Sequence, residues 1–343
     1  MSAPARLGYR PELDALRAIA VSMVMLSHFW FNDSGLGHLG VRLFFVLSGF
    51  LITMLLLEHG SMASFYVRRI FRLGPALYLA LCLALLFDLD GMRATWKWHL
   101  LQITNVLLAR LDSWSVVWPA DHLWTLNVEE QFYLLWPLVI LLVPKPRLPV
   151  AFATLIIIAP LYRIAGQLGG WGEVSTLVLP PASFDALGFG ALLAVVQLRL
   201  RSIALLCAPS LLIIIFNPLP QSFWLKELAE LASLPVLGAV IQAGWNGKLG
   251  IGCRPLVALG QISYGVYLYH GFLFGVLTKA GWTQRGFTLT VIASGLTIAV
   301  AALSYMAFER PVRELGRRIS DRLTMSGKHG RFDTRATSDA DAS

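Results

Sequence analysis

The sequence has few charged residues and few cysteines. Asp, Glu, Lys and Arg make up 14% of its 343 residues, whereas a soluble domain contains about 25%. The three cysteines, Cys82, Cys207 and Cys253, stand far apart, so the sequence predicts neither a disulfide framework nor a bound metal. Low charge together with 56% hydrophobic residues is typical of an integral membrane protein and excludes an ordinary soluble enzyme.

A cleavable secretion signal is also missing from the first 30 residues, because Arg17 interrupts the first apolar run and further apolar runs follow it. The net charge of +8 does not require a nucleic-acid partner. In a membrane protein, an excess of Lys and Arg first indicates orientation, since these residues concentrate on the cytoplasmic side. The sequence therefore predicts contact with membrane lipids and does not predict a nucleic-acid partner.

The apolar runs predict an all-α polytopic membrane protein with about ten transmembrane helices. They lie at residues 13–31, 38–57, 73–90, 123–143, 149–166, 176–198, 203–217, 223–243, 256–279 and 287–308. If both termini are cytoplasmic, twelve inner positions and eight tail positions account for 20 of the 28 Lys and Arg. We therefore predict a multi-pass protein of the cytoplasmic (inner) membrane, with its N- and C-termini in the cytoplasm.

The chain is predicted to form one membrane domain, residues 9–315, followed by a basic and then disordered cytoplasmic tail, residues 316–343. The longest outer loop contains an amphipathic stretch, residues 96–110, which is expected to lie at the membrane interface. No internal repeat is evident, and this weakens a transporter interpretation, because many transporters contain one.

Ionisable residues within the apolar runs are the candidates for chemistry, because burying charge in a bilayer is costly. Arg17 and His28 are eleven positions apart, which places them on one face of a helix and about 16 Å apart along its axis. Glu129 and Glu130 are adjacent and point about 100° apart, so one can face a cavity while the other pairs elsewhere. The further candidates are Asp14, Asp185, Tyr264, Tyr267 and His270.

A cationic set, Arg17, Arg68, Arg69 and Arg72, is expected at the cytoplasmic face. Arg69 and Arg72 share a helical face and suit a phosphate clamp, although a juxtamembrane cluster can equally bind anionic lipid. His28 and His270 can likewise be simple helix-to-helix hydrogen bonds. In this arrangement arginines bind a polyanion at one face of the membrane, and His and Glu residues transfer protons deeper in it. An enzyme that uses a soluble phosphorylated donor is expected to have this arrangement.

Seven motifs in order resemble the integral-membrane acyltransferase-3 family. They are Arg17-x10-His28, residues 40–52 (GVRLFFVLSGFLI), Arg69-x-x-Arg72, residues 124–134 (WTLNVEEQFYL), 184–193 (FDALGFGALL), 263–270 (SYGVYLYH) and 309–311 (ERP). Three positions depart from the family's usual residues: Arg42 stands where an acid is frequent, Thr125 and Asn127 replace small residues, and Ser183 stands where arginine is common.

The resemblance implies a ten-helix enzyme that moves an acyl group, commonly acetyl, from cytoplasmic acyl-CoA to a hydroxyl of a glycan, a lipid-linked saccharide or a secondary metabolite. His28 matches the family's essential histidine, Arg17 its partner, Arg69 and Arg72 its cytoplasmic arginine motif, and Glu129–Glu130 its acidic pair. The chain resembles a stand-alone form without an extracytoplasmic esterase-like domain. It is expected to finish the transfer itself or to use a separate extracytoplasmic transferase partner.

A rival from another functional class is a proton-coupled sugar or lipid exporter that uses the same His and Glu residues as a relay. The arginine set and the missing repeat favour the enzyme. His28 is then expected to act as general base on the acceptor hydroxyl or as a transient acyl carrier, with Glu129 or Glu130 as its acidic partner.

Overall fold

The computed structural model describes residues 8–323, apart from 33, 60–61 and 217–221, and every regular element in this part of the chain is helical. The α-helices are α1 (Pro11–Phe29), α2 (Leu36–His59), α3 (Met62–Leu86), α4 (Trp96–Leu100), α5 (Thr104–Leu111), α6 (Leu123–Leu142), α7 (Leu148–Leu168), α8 (Glu173–Val178), α9 (Phe184–Val195), α10 (Arg201–Cys207), α11 (Pro209–Phe216), α12 (Phe223–Trp245), α13 (Arg254–Gln261), α14 (Ser263–Lys279) and α15 (Phe287–Ser304). Most of the predicted tail, residues 324–343, lies outside the described residues.

Five helical segments are long and apolar enough to cross a membrane by length and composition. They are Leu36–Glu58, Met62–Leu86, Lys145–Leu168, Phe223–Trp245 and Phe287–Leu323. Each of the ten predicted apolar runs coincides with a helix or a group of short helices. The all-helical class and the membrane character are therefore confirmed, whereas the count of ten spans and the cytoplasmic position of the termini stay predictions.

Two helices extend well beyond the apolar runs that predicted them. α3 begins at Met62, eleven residues before the predicted run, so its first turns carry Arg68, Arg69 and Arg72. α15 continues through a π-helical segment, Tyr305–Glu309, and remains helical to Leu323. A run of high hydropathy marks only the apolar part of a helix. It does not include a charged helical end that lines a polar cavity.

Other predicted runs are broken into short helices. The run at 176–198 contains α8, a 3₁₀ turn at Pro180–Ser183 and α9, because Pro180 and Pro181 cannot continue the hydrogen-bond ladder. The amphipathic stretch 96–110 is likewise divided into α4 and α5, and Gln102 between them adopts a left-handed conformation with φ 56°.

The centre of the fold is α2, which packs closely against α1 and α9. A Cβ atom added to Gly49 would lie 2.0 Å from the carbonyl oxygen of Leu187, and one added to Gly190 would lie 2.0 Å from that of Val46. Small residues allow helix backbones to approach in this way within membranes. The contact holds α2 in place, and α2 in turn carries Ser48 and much of the cavity wall described below.

We expect Gly190→Val to destabilise the protein by more than the 1–3 kcal/mol typical of overpacking, because the obstructing atoms belong to the backbone of α2 and cannot rotate away. Gly295→Ala in α15 is the matched control, since a Cβ there meets no atom within 4 Å. Melting temperatures of both variants in detergent would measure the effect. Equal melting temperatures would contradict the close α2–α9 contact.

Candidate active site

A cavity of about 430 Å³ opens among α1, α2, α3, α6, α14 and the last turns of α15. Its wall is apolar along α2, where Phe44, Phe45 and Leu51 lie, and along α3, where Phe65 and Leu73 lie. Its polar side chains carry guanidinium groups, hydroxyl groups and one carboxylate, that of Glu129. A long ligand with an anionic end and an apolar arm fits such a distribution.

Six arginines line the cavity, and we refer to them as the arginine cluster. They are Arg17, Arg68, Arg69, Arg72, Arg313 and Arg317. The first four are the predicted cationic set, and their position at the cytoplasmic face stays a prediction. Arg313 and Arg317 were not among the predicted site residues, because the helix that carries them extends past the predicted run.

Four members of the arginine cluster pair with nearby acids, whereas two do not. The pairs are Arg17–Asp14 at 2.7 Å, Arg68–Asp321 at 2.9 Å, Arg313–Glu309 at 3.1 Å and Arg317–Glu314 at 2.9 Å. Within the described residues no salt bridge is found for Arg69 or Arg72, and the Nε atom of each is buried without a hydrogen-bond partner. Both guanidinium groups are therefore available to bind an anion that enters the cavity.

The guanidinium of Arg72 also lies within Coulombic reach of Arg17, Arg69 and Arg313. Like charges held together in a partly buried space repel one another, and a polyanionic ligand relieves that repulsion. Arg69 has a second contact, since its guanidinium lies 3.7 Å from the ring centroid of Tyr133. Stacking on an aromatic ring fixes the plane of the guanidinium while leaving its edge N–H groups available for oxygen acceptors.

Glu129 lines the same cavity and is held by two hydroxyl groups. Ser48 on α2 donates to its Oε1 at 2.7 Å, and Tyr133, one turn along α6, donates to its Oε2 at 3.0 Å. The carboxylate oxygens accept in both bonds, so the two hydroxyl groups stabilise the ionised form of Glu129. Glu130 does not line the cavity. The adjacent acids therefore point in different directions, as their helical spacing predicts.

Tyr264 and Tyr267 bring α14 into the cavity wall. The hydroxyl of Tyr264 donates to the carbonyl oxygen of Leu73 at 3.0 Å, which joins α14 to α3. The hydroxyl of Tyr267 lies 2.6 Å from that of Thr125 on α6. Thr125, one of the departures from the family pattern, thus has a defined hydrogen-bonding role next to the cavity.

His28 belongs to a cluster of three histidine rings, His28, His122 and His270, rather than to the cavity wall. The centroid of the His270 ring lies 4.9 Å from that of His28 and 4.8 Å from that of His122. The ring of Tyr267 lies 5.2 Å from that of His270, so Tyr267 borders both the cavity and the histidine cluster. A continuous series of polar rings therefore links Glu129's cavity to His28.

The hydrogen bonds of His270 define its free nitrogen. Nδ1 of His270 bonds to the carbonyl oxygen of Tyr267, which accepts, so a neutral ring carries its proton on Nδ1. Nε2 then has only a lone pair, and it is buried without a partner. His122 is held at both nitrogens, each 3.0 Å from a backbone carbonyl oxygen, of Pro119 and of Leu268. The histidine cluster thus contains a free acceptor beside the ring of His28.

Asp185 lies away from the cavity, in a buried network of charged groups. Arg42 and Arg163 contact its Oδ2 at 3.1 and 3.0 Å, and its side chain has no exposed surface. Arg163 also binds Glu227 through two bonds of 2.7 and 2.8 Å, while Arg42 binds Glu230 at 3.0 Å. The network joins α2, α7, α9 and α12. In this network the positive charge of Arg42 faces the carboxylates of Asp185 and Glu230.

Seven of the predicted site residues line the cavity, namely Arg17, Arg68, Arg69, Arg72, Glu129, Tyr264 and Tyr267, whereas the sequence did not mark several of their partners. It did not single out His122, which stands one residue before α6, or Ser48 and Tyr133, whose hydroxyl groups carry no charge signal. Within the described residues no group of three or more His, Cys, Asp or Glu is arranged to hold a metal ion. The ligands offered by the cavity are arginines, hydroxyls and one carboxylate, which suit an organic anion.

Comparison with known proteins agrees with this arrangement. A family model described as "Acyltransferase domain" matches residues 10–306. The peptidoglycan O-acetyltransferase of Listeria monocytogenes is 27% identical over 90% of this chain and 56% of its own length, and an O-acetyltransferase of Staphylococcus aureus is 27% identical over 90% and 58%. The Bacillus subtilis protein YrhL is 30% identical over 90% of this chain and 55% of its own.

The chain spans little more than half the length of these relatives. No solved structure matches it. The family model nevertheless covers most of the chain, including α1 with Arg17 and His28, α3 with the central arginines, α6 with the acidic pair, and the histidine cluster. The expected resemblance is therefore confirmed, and the chain belongs to the integral-membrane acyltransferase family.

Proposed function

We propose that this protein is a multi-pass O-acyltransferase of the cytoplasmic membrane that transfers an acetyl group from acetyl-CoA to a hydroxyl group of a glycan. The observation that carries the proposal is the cavity in which Arg69 and Arg72 lie unpaired beside an apolar wall and Glu129. Coenzyme A has phosphates at one end and a long, largely uncharged arm that ends in the thioester. The names of the Listeria and Staphylococcus relatives support acetyl as the acyl group.

In this proposal the arginine cluster holds the phosphates, because guanidinium groups bind phosphate oxygens in pairs. The arm runs along Phe44, Phe45 and Leu51 and brings the thioester toward Tyr267. The acceptor hydroxyl reaches His28 from the opposite side of the membrane, so the acyl group crosses while coenzyme A remains on the cytoplasmic side. About 16 Å separates Arg17 from His28 along α1, roughly half the thickness of the hydrocarbon core.

His28 acts as the general base. Its neutral imidazole accepts the proton of the acceptor hydroxyl while the oxygen attacks the thioester carbonyl carbon. The carbon–sulfur bond then breaks, and the coenzyme A thiolate takes up the proton, leaving an ester and free coenzyme A. The free Nε2 of His270 stabilises the transient positive charge on His28, because the two rings are adjacent. Glu129, which the sequence predicted as a possible acidic partner of His28, bonds to Ser48 and Tyr133 instead.

The rival assignment as a proton-coupled exporter has no support from the family or the relatives.

The sequence leaves three classes of acceptor open: a glycan, a lipid-linked saccharide or a secondary metabolite. The names of the relatives favour a cell-wall glycan. We propose that a separate extracytoplasmic transferase completes the transfer where this membrane domain alone does not.

We expect Arg69→Ala and Arg72→Ala each to weaken coenzyme A binding by about 10- to 100-fold, because each removes a charge-assisted contact of about 1.5–3 kcal/mol. Calorimetric titration of the purified protein in detergent with coenzyme A would measure it. Arg254→Ala, at an exposed position that opens α13, is the control and should leave the affinity unchanged. Unaltered affinity with reduced membrane insertion of the Arg69 and Arg72 variants would instead identify these residues as a lipid-facing charge cluster.

A further inference from the structure

Residues beyond the family match take part in the cavity. The family model ends at residue 306, whereas α15 continues through its π-helical segment to Leu323 and places Arg313 and Arg317 in the cavity wall. These two arginines are four positions apart, so they lie on neighbouring points of one helical face, about 6 Å apart along the axis. The end of the chain's last described helix is therefore part of the anion site.

This helical end is fixed against α3 in an antiparallel direction. Gly316 packs against the side chain of Phe71, and further along, Ser320 accepts a hydrogen bond of 2.7 Å from Nε of Arg68. Asp321 then pairs with the same guanidinium at 2.9 Å. Later residues of this helical end thus contact earlier residues of α3, so the two helices run antiparallel. The two helices form opposite sides of one opening.

The arginine cluster is graded from buried to exposed along this opening. Arg72 is half-buried and unpaired, the side chain of Arg313 is 23% exposed, that of Arg68 is 36% exposed and that of Arg317 is 65% exposed. Nε of Arg313 is buried without a hydrogen-bond partner, although its Nη2 pairs with Glu309. A guanidinium has five N–H donors, so pairing with one carboxylate leaves others available.

The positive charge thus extends from the half-buried Arg72 through Arg313 to the exposed Arg317, and this extent fits a ligand with two separate anionic groups. A diphosphate close to the acyl-carrying arm would lie at Arg69 and Arg72, next to the apolar wall. A second phosphate on the nucleotide end, remote from the thioester, would lie nearer the mouth. An acyl carrier without that remote phosphate would leave Arg313 and Arg317 without an anionic partner. The protein could discriminate between donors in this way.

We propose that Arg313 and Arg317 bind the 3′-phosphate of the coenzyme A nucleotide and so select a 3′-phosphorylated acyl carrier. The inference rests on the proposed function, since it assigns a subsite of the same donor cavity. It makes the terminal turns of α15, outside the matched family domain, part of donor recognition. Arg313 supplies the more buried contact and Arg317 the contact at the mouth.

The test compares binding of coenzyme A and dephospho-coenzyme A to the full chain in detergent, by calorimetry. The wild-type protein should bind coenzyme A at least about tenfold more tightly. Arg313→Ala should remove most of that preference, and Arg317→Ala should reduce it by about threefold, because an exposed charge contributes less. Affinity for dephospho-coenzyme A should hardly change in either variant. Arg318→Ala, the exposed neighbour outside the cavity wall, should keep the full preference.

The outcomes separate the two proposals. If the wild-type protein binds both compounds equally, or if Arg313→Ala and Arg317→Ala keep the preference, the 3′-phosphate assignment is wrong. Arg69→Ala should weaken both compounds alike. If it weakens neither, the donor site itself is misplaced and the proposed function fails first. Because Arg313 also pairs with Glu309, Arg313→Lys serves as a second variant that keeps the pairing charge and should retain part of the preference.

Discussion

His28→Ala should reduce acyl transfer by about 10²–10⁴-fold, which is the contribution expected of a general base. The reason is positional: His28 is the histidine on α1 that shares a face with Arg17, and its ring adjoins His270, whose Nε2 is buried and unpartnered. Transfer of radiolabelled acetyl from acetyl-CoA, measured in membranes that contain equal amounts of each variant, would show the loss.

The control for this experiment is donor binding. His28 does not line the cavity, so His28→Ala should bind coenzyme A as the wild-type protein does. A loss of both binding and transfer would indicate a folding defect, and His28→Gln, which keeps hydrogen-bonding capacity, would then be the variant to measure. A variant that keeps most of its transfer activity with normal binding would show that His28 is not the base.

Some relations among the charged residues of the cavity were predictable because they follow helical spacing. Arg69 and Arg72 share one face of α3, and an angle of about 100° between neighbours requires Glu129 and Glu130 to face different ways. These are relations within single helices, and the sequence contains them directly. The spacing alone does not decide that Glu129 is the one that lines the cavity. Arg17 in the same cavity follows from a comparison of depth between predicted spans.

Relations between distant helices were not predictable in this way. Asp185 looked like a site candidate because it is a lone acid in an apolar run, but its partners Arg42 and Arg163 are 143 and 22 residues away in the sequence. Arg313 and Arg317 were missed because the predicted apolar run ends at residue 308, whereas the helix continues to Leu323. His122 precedes α6 in a stretch without helical periodicity, so no pattern marked it.

The buried network around Asp185 leads to the second large effect. Arg163→Leu should destabilise the folded protein by about 3–5 kcal/mol, because it leaves Glu227 buried without its counter-charge and removes one of the two guanidinium groups that contact Asp185. The side chain of Arg163 is 7% exposed, and those of Asp185 and Glu227 are 0% and 8% exposed, so water cannot replace the lost contacts. Thermal unfolding of the purified variant in detergent would measure the shift.

An exposed pair on α15's extension provides the comparison. Glu314→Gln removes the partner of Arg317, whose side chain is 65% exposed, and should change stability by no more than about 1 kcal/mol. If Arg163→Leu and Glu314→Gln melted at the same temperature, the network would not hold α2, α7, α9 and α12 together as its contacts imply.

Asp185→Asn distinguishes a structural role from a catalytic one. It keeps the size of the side chain but removes the charge that faces Arg42 and Arg163, so the melting temperature should fall. The fraction that remains folded should transfer acetyl groups at the wild-type rate, because Asp185 does not line the cavity. A variant with an unchanged melting temperature and lost transfer would instead place Asp185 in the chemistry, as its isolated position in an apolar run first suggested.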